Sequence, residues 1–176
     1  MADIDRQPSR DLLGTPAVEK LHELAEGVRT CFFTSNPGAF PADSTPMSVQ
    51  DIDDDGTLWF ISSTHSGRNR HIAVDPRVSL SFQNEGRSEY LVMHGEARVH
   101  TDRPTIEAHW TKLADAWFED GIDDPRVSVI SVRPRGGHYW ETKAGRLVAF
   151  AKMGFAALTG GTLDDGGVDG SLRMPG

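Results

Sequence analysis

The chain has 176 residues, with 18 Lys and Arg against 26 Asp and Glu, giving a formal net charge of −8. That length fits one ordinary domain. The acidic balance excludes a polyanion partner such as nucleic acid or an anionic membrane surface, because either needs clustered basic charge. The charge is unevenly spread: the windows 51–55, 119–124 and 164–169 hold acids and no base, and elsewhere bases outnumber acids.

Residues 1–14 read as a polar, flexible lead-in. Met1 to Asp11 lacks the apolar core of a secretory signal, and no apolar run approaches the roughly 18 residues of a membrane span. A cytoplasmic location is therefore expected. Thr15-Pro16 reads as a helix start, a cap residue followed by proline in the first turn. Val18, Leu21, Leu24, Ala25 and Val28 then recur at helical steps, and Gly27 marks the helix end. Cys31-Phe32-Phe33-Thr34 is a strand, and Asn36-Pro37-Gly38 opens a loop. Cys31 is the only cysteine, which excludes an intrachain disulfide and a Cys-based metal cluster.

Thr45 to Gln50 and Thr57 to Ser62 read as strands joined by Asp53-Asp54-Asp55-Gly56, whose residues tolerate the positive φ of a tight hairpin. Gly67 to Val74 is a short helix ending before Asp75-Pro76. Val78, Leu80 and Phe82 alternate with polar residues, as do Leu91, Met93, Gly95, Ala97 and Val99, so both segments are half-buried strands. A helix over Pro104 to Phe118 places Ile106, Trp110, Leu113 and Trp117 on one stripe. Arg126 to Val132 and Gly137 to Glu141 add two strands, and Gly145 to Leu158 carries a weaker helical pattern. The expected fold is α+β: an antiparallel barrel of six to seven strands with two to four flanking helices. The domain is expected over 15–160, followed by a flexible tail over 161–176, which is rich in glycine and poor in apolar groups.

Four stretches could carry chemistry. In Phe60 to Ile72 a strand ends in Ser62, Ser63, Thr64, His65 and Ser66, then Gly67 opens a helix bearing Arg68. Helix N-termini and hydroxyls donate to phosphate oxygens, and arginine grips them bidentately. The spacing matches neither the P-loop nor the dinucleotide glycine fingerprint. The strand Ser44 to Gln50 can line a ligand beside this stretch, with Thr45, Pro46, Met47 and Ser48 at its centre. Ala116 to Gly121 offers Trp117 and Phe118 to cover a flat ring, and Gly136 to Glu141 offers His, Tyr and Trp beside paired glycines; core packing explains either equally well. The histidines form no metal-ligand spacing and no triad order, so no metal site is expected and no catalytic residue is marked.

Taken together, Pro46-Met47-Ser48, Gly56 to Phe60, Ser66-Gly67-Arg68, Asp75-Pro76-Arg77-Val78, Gly95-Glu96-Ala97, Ala116-Trp117-Phe118 and Asp123-Asp124-Pro125 resemble the FMN-binding split-barrel superfamily of pyridoxamine phosphate oxidase-like proteins, nearest its general stress protein branch. The resemblance covers about residues 15–160. It implies a split β-barrel and a homodimer with FMN in two clefts at the subunit interface. It implies flavin contacts along Thr45, Pro46, Met47 and Ser48, ring and ribityl contacts at Ile61, Ser62 and Ser63, and phosphate binding at Ser66, Gly67 and Arg68. Tyr90 matches a position that approaches the flavin. Trp117 and Phe118 match a helix end that shields the ring from the other subunit. Relatives often carry Arg where this chain has Thr45, which removes one charge from the site and implies weaker FMN binding. The C-terminal Arg and His elements that grip pyridoxal phosphate in the true oxidases are not recognisable, which argues against that activity. The expected function is a flavin-dependent oxidoreductase of unknown substrate. The alternatives are a non-catalytic flavin carrier or stress sensor, or a split barrel holding haem or a deazaflavin.

Overall fold

The computed structural model describes residues 9–112, 114–142 and 167–175. Strands β2 (Thr30–Ser35), β3 (Asp43–Ile52), β4 (Leu58–Ser63), β5 (Arg77–Asn84), β6 (Glu89–His100) and β7 (Val127–Thr142) pair antiparallel in the order β7-β4-β3-β2-β5-β6. β6 pairs again with β7, from Tyr90 opposite Trp140 to His100 opposite Val129, and so closes the barrel. Closure leaves no strand edge open around those six strands. This is the expected split barrel. Two further strands extend one edge: β8 (Gly167–Arg173) runs antiparallel to β7, and β1 (Leu12–Leu13) runs parallel to β8.

Period-two patterning decides which side chains fill the barrel. Cys31, Phe33, Val78, Leu80, Phe82, Leu91, Met93 and Ala97 point inward and are buried, while Phe32, Ser81 and Val92 face out. Helix α1 (Thr15–Glu26) adds Ala17, Leu21, Leu24 and Ala25 to the same core. Its cap is Gly14, at φ 63°, rather than Thr15; Pro16 lies in the first turn and no side chain caps the helix. The Asp53–Gly56 turn forms as expected, with Gly56 at φ 86° and its N–H donating to the Asp53 carbonyl at 2.8 Å. Helix α2 (Gly67–Val74) is capped by Ser66 Oγ, which accepts from Asn69 N at 3.1 Å.

The structure departs from the sequence expectations at three places. Arg126 to Val132 and Gly137 to Glu141 are one strand. Pro134 falls just where β7 has left β4, whose pairing ends at Val132, and has not yet met β8, whose pairing begins at Gly136. Its missing N–H therefore costs no ladder bond on that side. Within the expected tail, Gly167–Arg173 is paired strand with Val168 and Leu172 buried. Gly170 is a packing requirement there, since a Cβ would collide with the Arg10 carbonyl that also accepts from Tyr139 Oη at 2.8 Å. The expected helix over Pro104 to Phe118 is cut short: α3 spans Arg103–His109, Trp110 is extended, and a 3₁₀ turn follows at Ala114–Ala116. The chain breaks because Ile106, Trp110 and Phe118 bury together against Val127, Val129, Trp59 and Ile61 on the outer barrel face, a geometry that a single straight helix cannot meet. Leu113 and the pattern over Gly145 to Leu158 lie outside the described residues. Among the described residues no helix is long and apolar enough to cross a membrane.

Candidate functional site

The segment from Trp110 to Arg126 does not lie flat on the barrel. Between it, the outer face of the β3–β4 hairpin and the start of α2 runs a cleft of about 420 Å³. Pro46, Met47 and Ser48 form one wall from β3, and Ile61, Ser62 and Ser63 form the floor from β4. Trp117 and Phe118 face them from the overlying segment, Trp117 at 83% exposure on the rim and Phe118 buried behind it. Arg68 stands at the α2 end. Nine of the residues singled out in the sequence thus share one cleft. Trp117 and Phe118 were expected to reach the site from another subunit; here they cover the cleft of their own chain, because the Ile106–Trp110–Phe118 cluster anchors their segment to β4 and β7.

The remaining four are placed differently. Thr45 lies beside the cleft and accepts a hydrogen bond from Arg68 Nη1. Ser66 and Gly67 begin α2. Ser66 and Ser62 both hydrogen-bond Asn69 Oδ1, at 3.0 and 2.9 Å, and Asn69 Nδ2 donates to the buried Ser128 at 2.9 Å. Those hydroxyls lock β4, α2 and β7 together. Ser63 is different: its oxygen accepts from His65 N at 3.2 Å and its proton remains available to the cleft. Tyr90 is on the outer face of β6, in register with Gln83 and Trp140, three strands around the barrel from β3.

Three lining residues were not singled out as site residues: Gln50, which closes the Ser44 to Gln50 stretch, Ala114 and Arg126. Gln50 is the extra residue of a bulge between Val49 and Asp51, and bulges re-aim side chains. Its Oε1 accepts from Thr111 Oγ1 at 2.7 Å, which ties the covering segment to β3. Arg126 is held by the buried Asp124 through Nη2–Oδ2 at 2.6 Å and Nε–Oδ1 at 3.0 Å. The Arg126 guanidinium pulls the Asp124 carboxyl down to about 2. A depressed folded value stabilises above the unfolded carboxylate range, near 4, and that stability is lost as pH falls toward 2. Asp124→Asn is therefore expected to lower the urea midpoint at neutral pH. The gap to the parent should close between about pH 4 and 2; a gap independent of pH would count against the pairing.

The electrostatics concentrate at Arg68. Burial pushes its guanidinium below the ordinary arginine range, with Asp43 offsetting part of that. One Nη binds Thr45, the guanidinium carbon lies 5.9 Å from the Phe33 ring centroid, and Nε is buried without a partner. A partly desolvated cation with an unpartnered donor at the first turn of a helix favours an anion as its neighbour. A wider groove of about 520 Å³ along Gly27–Phe32 and Ser81–Glu85 shares Pro46 with the cleft but is lined by no Lys or Arg. Among the described residues no cluster of His, Cys, Asp or Glu could hold a metal ion.

Fold and cleft together define a split-barrel protein with a cleft that ends at Arg68 and is covered by Trp117 and Phe118. The sequence profile of the family described as pyridoxamine 5'-phosphate oxidase like matches residues 16–164, and the chain belongs to that family. Its fold is similar to that of a general stress protein 26 from Jannaschia sp. CCS1, at 26% identity and TM-score 0.70, over 91% of this chain and 99% of that one. It is also similar to a general stress FMN/FAD binding protein from Xanthomonas citri, at 23% identity and TM-score 0.62, over 71% and 88% of the two chains. The protein bli-3 of Neurospora crassa is 32% identical over 90 residues, a match spanning 47% of this chain and 43% of that protein.

Proposed function

We propose that the cleft binds FMN and that the protein is a flavin-dependent oxidoreductase of the general stress type. The observation that carries this reading is Arg68: a half-buried guanidinium whose buried Nε has no partner, at the end of a cleft whose length is walled by Pro46, Ile61, Trp117 and Phe118. The volume suits a cofactor-sized ligand. FMN, when bound, supplies the redox chemistry. Arg68 and the start of α2 hold its phosphate, Ser48, Ser63 and Gln50 offer hydrogen bonds along the wall, and Trp117 shields the ring from water. The yellow spectrum of the purified protein, the mass of the released cofactor, and reduction by NADH or NADPH with turnover against an acceptor test this. A haem Soret band would refute it. FMN bound under Trp117 is expected to be strongly quenched, and Trp117→Leu should restore part of its fluorescence; equal quenching in both would remove Trp117 from the ring.

The homodimer belongs to the same reading. Phe32 is 57% exposed, flanked in register by Pro46 and Ser81, and no element among the described residues covers it. A second copy seated there would border the cleft at Pro46. Sedimentation of the flavin-loaded protein tests it, and a monomer would overturn it.

One observation favours a second reading, a non-catalytic flavin carrier or sensor. Among the described residues, none lining the cleft is a His, Cys, Asp, Glu, Lys or Tyr able to pass a proton at neutral pH. Flavin that binds and is reduced but never turns over would decide for the carrier.

A further inference from the structure

We infer that Asp43 sets how strongly the cleft prefers a phosphorylated flavin over its uncharged, dephosphorylated counterpart, by opposing the phosphate at the Arg68 end. The inference rests on the FMN reading above. Asp43 opens β3, opposite Ser35 of β2. Its Oδ2 lies 3.6 Å from His71 Nδ1 and would lie 3.7 Å from a Cβ placed on Gly67, so the carboxylate stands against the first turn of α2. That is the turn that carries Arg68. The carboxylate is about half exposed, and its charge reaches Arg68.

Two other groups share this corner with the carboxylate. His71 Nδ1 has a neutral partner, Ser35 Oγ at 3.0 Å, and Asp43 lies outside hydrogen-bond reach of it. Arg70 reaches the same turn as a cation, with Nη2 3.6 Å from the Gly67 Cβ position and Nη1 donating to the His65 carbonyl, so it offsets part of the carboxylate's field, and removing that carboxylate leaves the corner more positive. Thr45, which contacts Arg68, brings a hydroxyl and no charge. A dianionic phosphate docking on Arg68 thus approaches the carboxylate that stands against the Gly67 end of the same turn, and like charges repel through partly exposed surroundings. Riboflavin, with the same ring and ribityl chain and no phosphate, does not feel this.

The test is a fluorescence titration of the full-length protein with FMN and with riboflavin, in the parent, in Asp43→Asn and in Asp43→Ser. Both substitutions are expected to raise the FMN-to-riboflavin affinity ratio, on the order of three- to tenfold, with riboflavin affinity unchanged. Riboflavin serves as the control, because a disturbed fold weakens both ligands together and leaves the ratio where it was. A ratio that stays level or falls in both variants overturns the role of Asp43 while the FMN reading stands. Failure of the parent to bind either flavin overturns the FMN reading, and this inference with it.

Discussion

Arg68→Gln should weaken FMN binding by about 1.5–3 kcal/mol, roughly ten- to a hundredfold in Kd, while leaving riboflavin binding near its parent value. The magnitude follows from what the guanidinium lacks. Its Nη1 is occupied by Thr45, but its Nε is buried and unpartnered, so the free protein carries a desolvated donor that a phosphate oxygen would satisfy. Charge-assisted bonds of this kind are about twice as strong as neutral ones. Glutamine keeps a donor and loses the charge. Arg68→Lys keeps the charge and loses the fork that serves Thr45 and the phosphate at once, so an intermediate loss is expected. Titrations with the two flavins read this directly. An Arg68→Gln protein that binds FMN as tightly as the parent, or loses both flavins equally, would move the phosphate elsewhere. The overall charge of −8 is no obstacle, because the cleft itself is lined by Arg68 and Arg126 and by no acid among the described residues.

The strands were legible where one face is buried against a single core. Val78, Leu80 and Phe82, and Leu91 through Ala97, alternate because each inward position meets the barrel interior. The β3–β4 pairing was legible because a tight Asp-Gly turn forces neighbouring strands together, and this is why Pro46 to Ser48 and Ile61 to Ser63 could be put beside one another. Helical period misled at Trp110 to Phe118. The apolar spacing is real, but it reports burial on the outer barrel face in a broken segment rather than one continuous helix. β8 was hidden by its glycines. They read as flexibility in composition and serve as close approach in space, as Gly170 does under Arg10. Gln50 and Arg126 were not legible as cleft residues for a related reason. One depends on a bulge and the other on a bidentate grip by Asp124, and neither leaves a pattern in the chain. Ser62 and Ser66 were legible as a cluster of hydroxyls but not in their engagement, since Asn69 and Ser128 come from α2 and β7.

Phe60→Ala is expected to cost about 3–5 kcal/mol of stability, a large share of what a domain of this size possesses. Phe60 is fully buried in β4, opposite Val49 of β3 and Ile130 of β7, where three strands of the barrel meet in register. Its ring meets Phe33 edge-on, with centroids 5.4 Å apart and planes at 86°, the arrangement aromatic quadrupoles prefer. Alanine would open a cavity in the barrel centre, and a closed barrel has little freedom to collapse onto it. Phe60→Leu refills most of the volume and should cost less, which separates cavity formation from loss of the aromatic pair. Urea unfolding followed by tryptophan emission measures both, and a loss below about 1 kcal/mol for the alanine variant would show that the core relaxes around it. The defect should also reach the site. Phe33 carries Phe60 against one part of its ring and the Arg68 guanidinium near its centroid, so a Phe33 freed to tilt takes the support from the cation that awaits the phosphate. FMN affinity is therefore expected to fall more in Phe60→Ala than in Ile106→Ala, which removes core beneath Phe118 and leaves the Phe33–Arg68 contact in place. Equal losses of FMN affinity in the two variants would deny that coupling.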